Sequence, residues 1–379
     1  MKVYLDNAAT TPIAPEVIEA MIPVLRESFG NPSSAHSFGR TAKAIIENSR
    51  RSIAKTINCQ PAEILFNSGG TEGDNMAIHC CVHALGVKRI ITTTLEHHAV
   101  GHTAEDIARN ANIKLEFVNV SSTGLVDLVH LGELLKSDEK TLVSLMHANN
   151  EIGTLLPLEK VSSLCKKYNA YLHSDTVQTM GHYHFDLEKL NIDFLTCSAH
   201  KFHGPKGIGF LYVNKSIKMK SLIMGGGQER GLRAGTENIY GIVGLAKAFE
   251  LAYGDLEEHQ NHVQELKSHM IRRLKAEIDD VSFHGEIDPD FSLYTVLNVC
   301  FPKTEKAGML LFTLDLKGIA ASGGSACSSG AVSSSHVLSG IKSDPSRPNV
   351  RFSFSRYTTL EEVNYAVDQV VDIFEKTLA

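Results

Sequence analysis

Short apolar runs alternate with stretches of helical periodicity through the first two thirds of the chain. Runs rich in Val, Ile, Leu and Phe read as strands at 63–67, 89–94, 114–120, 141–147, 170–174, 193–198 and 207–213. Between most of them the pattern predicts helices, over 72–85, 101–110, 127–136 and 158–168. Strands alternating with helices imply an α/β fold built on a largely parallel sheet, covered on both faces. No helical pattern separates the last two strands, which predicts a hairpin or an antiparallel edge there.

Beyond a glycine-rich stretch at 225–235 the pattern changes. Residues 239–273 read as long helix, interrupted near Gly254 and able to carry the chain between domains. The remainder holds strands at 294–301 and 350–355 and helices at 307–317 and 360–378, which suits a smaller α+β domain. Thr359 and Glu362 have the spacing of a capping box that opens the final helix. With 379 residues the chain is longer than one hydrophobic core usually serves, so two domains are expected. There is no internal repeat, although 322–335 is rich in glycine and serine.

Composition narrows the class. A 43% hydrophobic and 21% charged share describes an ordinary globular protein. A formal charge of −6 with no long basic run argues against direct binding of nucleic acid. The seven cysteines are an odd number at irregular spacing, with neither a disulfide framework nor paired zinc motifs, which points to a reducing cytosol. No resident metal site is expected. The N-terminus lacks a signal-peptide core and no uncharged apolar run approaches membrane-spanning length, so a cytoplasmic protein with no membrane partner is expected.

Candidate chemistry concentrates at strand ends. Ser198-Ala199-His200-Lys201 closes one strand and runs into Gly204-Pro205-Lys206-Gly207. The preceding strand ends in Asp175, with Gln178 just beyond. A Schiff-base lysine with an acid facing a pyridinium nitrogen is what pyridoxal phosphate (PLP) enzymes require. Ser68-Gly69-Gly70-Thr71-Glu72 lies between a strand and a helix, where free backbone N–H groups make an anion cradle or, more simply, a turn capped by Thr71. Cys327 sits in a glycine- and serine-rich run with nothing apolar to bury it. By contrast, Cys80, Cys81, Cys165, Cys197 and Cys300 sit in apolar patterns and read as core thiols.

These segments, with Tyr4-Leu5-Asp6-Asn7-Ala8-Ala9-Thr10-Thr11, Gly30-Asn31-Pro32-Ser33-Ser34, Asn149-Asn150-Glu151-Ile152-Gly153, Arg233-Ala234-Gly235-Thr236, Gly324-Ser325-Ala326-Cys327 and Arg351-Phe352-Ser353, resemble the NifS/IscS-type cysteine desulfurases of the class V aminotransferase family. The resemblance runs nearly end to end. It implies a PLP-dependent transferase of fold type I: a large domain over 15–255 with a mostly parallel seven-stranded sheet, and a small domain from 1–14 and 256–379. It implies Lys201, Cys327 and His97 as catalytic residues. Cofactor contacts would come from Gly70, Thr71, His97, Asn150, Asp175, Gln178, Ser198, His200 and Lys201, and from Thr236 reaching the partner subunit's phosphate. Arg351 and Asn150 would hold the substrate. Departures from the family pattern are slight: Gly70 replaces alanine, Leu95 and Gly323 replace threonine and serine, and Ser174 and Thr176 flank the acid.

The activity so implied takes sulfur from L-cysteine, leaving alanine and a persulfide on Cys327, with His97 helping to form the thiolate. The sulfur would pass to an acceptor protein, either an iron–sulfur scaffold or a tRNA-thiolation protein. Cys327 could transiently share a cluster with such a partner, and a homodimer is implied. Rival readings are another class V enzyme, such as a selenocysteine lyase or an aminotransferase, and a non-catalytic sulfur-relay docking protein. An aminotransferase has no use for the cysteine of Gly324-Ser325-Ala326-Cys327, and the simultaneous presence of Lys201, Asp175, His97 and Cys327 speaks against lost catalysis.

Overall fold

A computed structural model describes residues 1–304, 307–323 and 335–378. The chain opens with β1 (Val3–Tyr4), α1 (Pro15–Glu27) and α2 (Ser37–Thr56). There follow β2 (Ile64–Asn67), α3 (Gly70–His83), β3 (Arg89–Thr92), α4 (His98–Ala111), β4 (Lys114–Phe117), α5 (Leu128–Leu134) and β5 (Thr141–Ser144). Next come α6 (Leu158–Lys167), β6 (Tyr171–Asp175), β7 (Phe194–Ser198), β8 (Gly209–Val213), α7 (Ile239–Gly254) and α8 (Leu256–Glu277). The last third holds β9 (Ser282–His284), β10 (Val296–Cys300), α9 (Leu310–Leu316), β11 (Ile319–Ala320), α10 (His336–Gly340), β12 (Asn349–Ser353) and α11 (Leu360–Leu378).

All seven strands read from the apolar runs join one seven-stranded sheet, in the order β2-β8-β7-β6-β5-β3-β4. Strands β3 to β7 are parallel, and β8 runs antiparallel to both β7 and β2. The expected hairpin is therefore β7–β8, but β8 lies inside the sheet and β2 forms the edge. Every residue of β2, β3, β5, β7 and β8 is buried, as strands covered on both faces require. Winding reverses at β3, which has β4 on one side and β5 on the other. In open α/β sheets the crevice beyond the strands' carboxyl ends, near such a reversal, is where ligands bind.

One core packs Ala14, Val17 and α2 through Phe249 and Ala252 against a face of this sheet. A separate core gathers Val3 and Leu5 with side chains from Val263 to Phe374 around β10 and β12. The break near Gly254 is real: α7 ends there and α8 begins two residues later. At Thr359 the capping box forms, with Thr359 N–H donating to Glu362 Oε2 at 2.8 Å and Glu362 N–H to Thr359 Oγ1 at 3.2 Å. Cys80, Cys81, Cys165, Cys197 and Cys300 are buried. Among the described residues no helix is long and apolar enough to cross a membrane.

Two long helices, α1 and α2, escape the pattern. Helix α1 starts on a proline and has Pro23 inside it, and only Val17 is fully buried. Helix α2 buries Ser49 and Arg50 beside its apolar stripe, which blurs the periodicity.

Candidate active site

Several of the predicted site residues lie at or just beyond the carboxyl ends of the parallel strands: Asp175 ends β6, Ser198 ends β7 with His200 and Lys201 directly after it, and His97 follows β3. Gly69 precedes α3 with φ 136°, a conformation that favours glycine, and offers no side chain to cap the helix. The first N–H groups of α3 thus open onto a cavity of ≈ 470 Å³ lined by Gly70, Thr71, Ser198 and His200. The helix begins two residues earlier than 72, so Thr71 is not its cap. Gly70 has a local reason: a Cβ there would lie 2.8 Å from Val177 Cγ2. Burial lowers the His200 imidazole to about 4, so the ring is neutral, and its Nδ1 lies 3.1 Å from Thr10 Oγ1.

Lys201 closes the turn after β7. Its Nζ donates to the carbonyls of Ala8 at 2.6 Å and Ala9 at 2.9 Å. Gln178 Nε2 donates to the same Ala8 carbonyl at 3.1 Å, so the N-terminal segment gathers both side chains. Asp175, the last residue of β6, is buried and accepts from Val177 N–H at 2.8 Å. Burial raises its carboxyl to about 6, and the buried Asp74 adds to the rise.

His97 follows β3 and caps α4, its Nδ1 accepting from Ala99 N–H at 3.1 Å. Burial lowers its pKa despite the opposing pull of Asp175, and Lys201 lowers it further. The ring is therefore neutral near pH 7, and with Nδ1 accepting, its proton sits on Nε2.

Arg351, on β12, is 1% exposed yet carries a charge. Its Nη2 pairs with Asp6 at 2.8 Å and its Nη1 donates to the Asn150 carbonyl at 2.8 Å, while among the described residues Nε has no partner. Asn150 thus meets Arg351 through its backbone. Thr236 is exposed and does not line the cavity around α3. Cys327 lies outside the described residues.

Several polar groups escaped the reading of the sequence. Asp6 pairs with Arg351, and Arg233 holds Glu72 beside the cradle at 2.8 Å. Arg50 and Glu229 form a buried ion pair at 2.7 Å, and Glu229 Oε2 also accepts from Phe66 N–H. Glu151 Oε2 accepts from Ser335 Oγ at 2.5 Å. No local pattern marks such residues, since each partner lies more than a hundred positions away.

The arrangement suits PLP on its own terms. An uncapped helix start offers N–H groups to a phosphate, Asp175 is a buried acid at a strand end, and His97 lies within electrostatic reach of both that acid and the Lys201 amine. A model of the class V aminotransferases matches residues 3–366. The "Cysteine desulfurase IscS" of Dictyoglomus turgidum is 44% identical over 379 residues, 99% of this chain and 95% of its own length. A solved structure titled "NIFS-LIKE PROTEIN" superposes with a TM-score of 0.91 at 39% identity, covering 99% of this chain and all (100%) of that one. Another, titled "SspA in complex with cysteine", has a TM-score of 0.81 at 30% identity, covering 94% of this chain and 100% of that one. The chain belongs to the class V aminotransferase family, in its NifS/IscS branch.

Proposed function

We propose that this protein is a PLP-dependent cysteine desulfurase, which takes sulfur from L-cysteine and releases alanine. The observation that supports this reading is that Lys201 and Gln178 share the Ala8 carbonyl while His97 lies within electrostatic reach of Lys201 and Asp175. Lys201 would hold the cofactor covalently, and the first turn of α3 with Ser198 and His200 would hold its phosphate. Asp175 would face the ring nitrogen, Gln178 the phenolic oxygen, and His97 would supply a neutral imidazole beside the ring. When bound, PLP supplies an electron sink for carbanion chemistry at the substrate Cα.

This chain's own groups do the rest. Arg351 offers its unpartnered Nε and the spare N–H groups of its fork to the substrate carboxylate, and Asn150 helps orient it. The Lys201 amine takes the Cα proton. The Cys327 thiolate then forms an S–S bond to the substrate sulfur as the Cβ–S bond breaks. The bonding pair stays with the carbon fragment, which is protonated and leaves as alanine. His97, with its proton on Nε2, is better placed to donate that proton than to take one from Cys327.

We also take 15–255 as the cofactor-binding domain and 1–14 with 256–379 as the small one. The protein would act as a homodimer in the cytoplasm, with Thr236 completing the neighbour's phosphate site, and would hand sulfur to an acceptor protein for iron–sulfur cluster assembly or tRNA thiolation. Borohydride reduction of the PLP-loaded protein tests the assignment of the lysine. The label is expected on the peptide containing Lys201, and a label on Lys206 or Lys215 would overturn it.

A further inference from the structure

A second buried carboxyl lies near enough to Asp175 to raise its pKa. Asp74 sits one turn into α3 and is 1% exposed. Its Oδ1 is 3.3 Å from His173 Nε2, on β6. Among the described residues no well-aligned hydrogen bond reaches either carboxyl oxygen, although the Thr196 hydroxyl is close enough to favour the charged form. His173 is itself fully buried, its Nδ1 2.8 Å from Ser144 Oγ and its Nε2 3.2 Å from Thr196 Oγ1. Side chains alternate along a strand, so His173 and Asp175 share one face of β6.

The charges around this pocket are few. Besides His173 and Asp175, β6 contributes none; β7 and β8 contain no Asp, Glu, Lys, Arg or His. Ahead of α4 stand Glu96 and His97. Glu96 is raised to about 8 by burial, with small additions from Asp175 and Asp74. On α4 itself, His98, His102, Glu105, Asp106 and Arg109 follow, and Asp106 acts on His79, further along α3. Among the described residues no lysine or arginine pairs with Asp74. Two states are open to the pair: a charged Asp74 with a charged His173, or a protonated Asp74 with a neutral imidazole. Burial lifts Asp74 to about 7 and lowers His173 to about 4, and both shifts favour the neutral state.

We propose that Asp74 holds a proton in the resting protein and presents it to His173 Nε2, so that the single negative charge of the two aspartates rests on Asp175. His173 then donates Nδ1–H to Ser144 Oγ. Two carboxyls in one low-dielectric pocket cannot both ionise cheaply, and whichever keeps the proton fixes where the charge lies. A second negative charge on Asp74 would make Asp175 a stronger base, inclined to take the proton it should leave on the cofactor nitrogen. Asp74 is thus a positioning residue, acting through His173 and Asp175. The functional half of this inference rests on the PLP reading above, and the protonation half does not.

The test begins on the apo protein. Asp74→Asn keeps the shape and neutrality of the protonated acid, so the variant should fold. A carboxyl whose pKa rises on folding costs stability that grows as pH climbs from its unfolded to its folded value. The unfolding midpoint of Asp74→Asn should therefore gain on wild type between pH 3.8 and about 7, then keep a constant lead. In mildly acidic buffer, the wild-type-minus-variant infrared spectrum should show the carbonyl stretch of a protonated carboxylic acid. If the variant fails to fold, isotope labelling of aspartate carboxyls in wild type separates that band from Glu96, and a band that persists as pH rises above about 6 separates Asp74 from Asp175 and Asp193. A variant less stable than wild type near neutral pH, with a deficit that shrinks as pH falls through the carboxyl's folded value and as it rises through the imidazole's, and with only ionised-carboxylate bands, would mean an Asp74–His173 ion pair and overturn the proposal. With PLP bound, the visible band of wild type should change further as pH rises above about 7, and Asp74→Asn should lose that change. Identical titrations would overturn the functional half. Failure of both proteins to bind PLP would instead overturn the PLP reading, leaving the infrared result standing.

Discussion

Asp175 is where the electrostatics of this site become measurable. Burial raises its carboxyl from 3.8 to about 6. That rise costs the fold stability, by an amount that is nil below 3.8, grows as pH rises and is complete above about 6. A protonated ring nitrogen removes that cost. The gain in Tm on adding PLP should therefore increase as pH rises through about 6, and Asp175→Asn should flatten the curve. A gain equal at all pH values would argue against Asp175 facing a cation. Arg351→Lys should keep a positive charge but lose the planar fork, worth about 1.5–3 kcal/mol for hydrogen bonds to a charged group. That corresponds to a KM for L-cysteine raised roughly 10- to 100-fold with little change in kcat, measurable by steady-state alanine release. Gly70→Ala should destabilise by about 1–3 kcal/mol through its clash with Val177, and adding Val177→Ala should recover most of the loss in denaturant titrations. At this scale the strand-end positions of Asp175 and Ser198, with Gln178, His200 and Lys201 just beyond, were legible because each lies in a recognisable segment. Asp74 and His173 were not, because each sits singly in an otherwise apolar or helical run and acquires a role only when β6 is set beside α3.

Among the elements, strands were the most legible. Burial on both faces forces continuous Val, Ile, Leu and Phe, which stand out from their surroundings. Strand β4, at the sheet edge and partly exposed, was still readable because it alternates with helices on both sides. Helix α1 was hidden because proline opens and interrupts it and it buries little, and α2 because its buried face includes serine and arginine. That arginine suggests a direct test. Arg50 lies between Glu229, the Ile64 carbonyl and the face of Phe66, so α2, β2 and the 225–235 stretch are tied at one point. Arg50→Met strands Glu229 as a buried charge and should cost about 3–5 kcal/mol in chemical denaturation. A loss below about 1 kcal/mol, the usual worth of an exposed pair, would mean that Glu229 finds water instead.

For the whole molecule, Phe29 at 77% and Met224 at 82% exposure are large apolar side chains left open on the single chain. They fit an interface with a second copy, which would also bring Thr236 to a neighbouring phosphate. Thr236→Ala should then weaken PLP retention without lowering the apo unfolding midpoint. Light scattering that showed an active, PLP-bound monomer would contradict the pairing. The separate core around β10 and β12 follows the change of pattern after residue 235. The way the N-terminal segment reaches both this core and the sheet was not readable, since β1 pairs with β11 while the carbonyls of Ala8 and Ala9 reach Lys201.

The central claim is that sulfur leaves L-cysteine for the thiol of Cys327. It is tested most directly by mixing PLP-loaded protein with L-cysteine in the absence of a reductant, then measuring alanine together with the mass of the Cys327 peptide. Wild type should release one alanine for each sulfur atom gained by that peptide. Cys327→Ser should bind PLP and L-cysteine yet yield neither product, because a serine hydroxyl is far less acidic than a thiol and forms no persulfide. Alanine and free sulfide produced by Cys327→Ser at near wild-type rate would contradict the account and make the protein a lyase that releases sulfide directly.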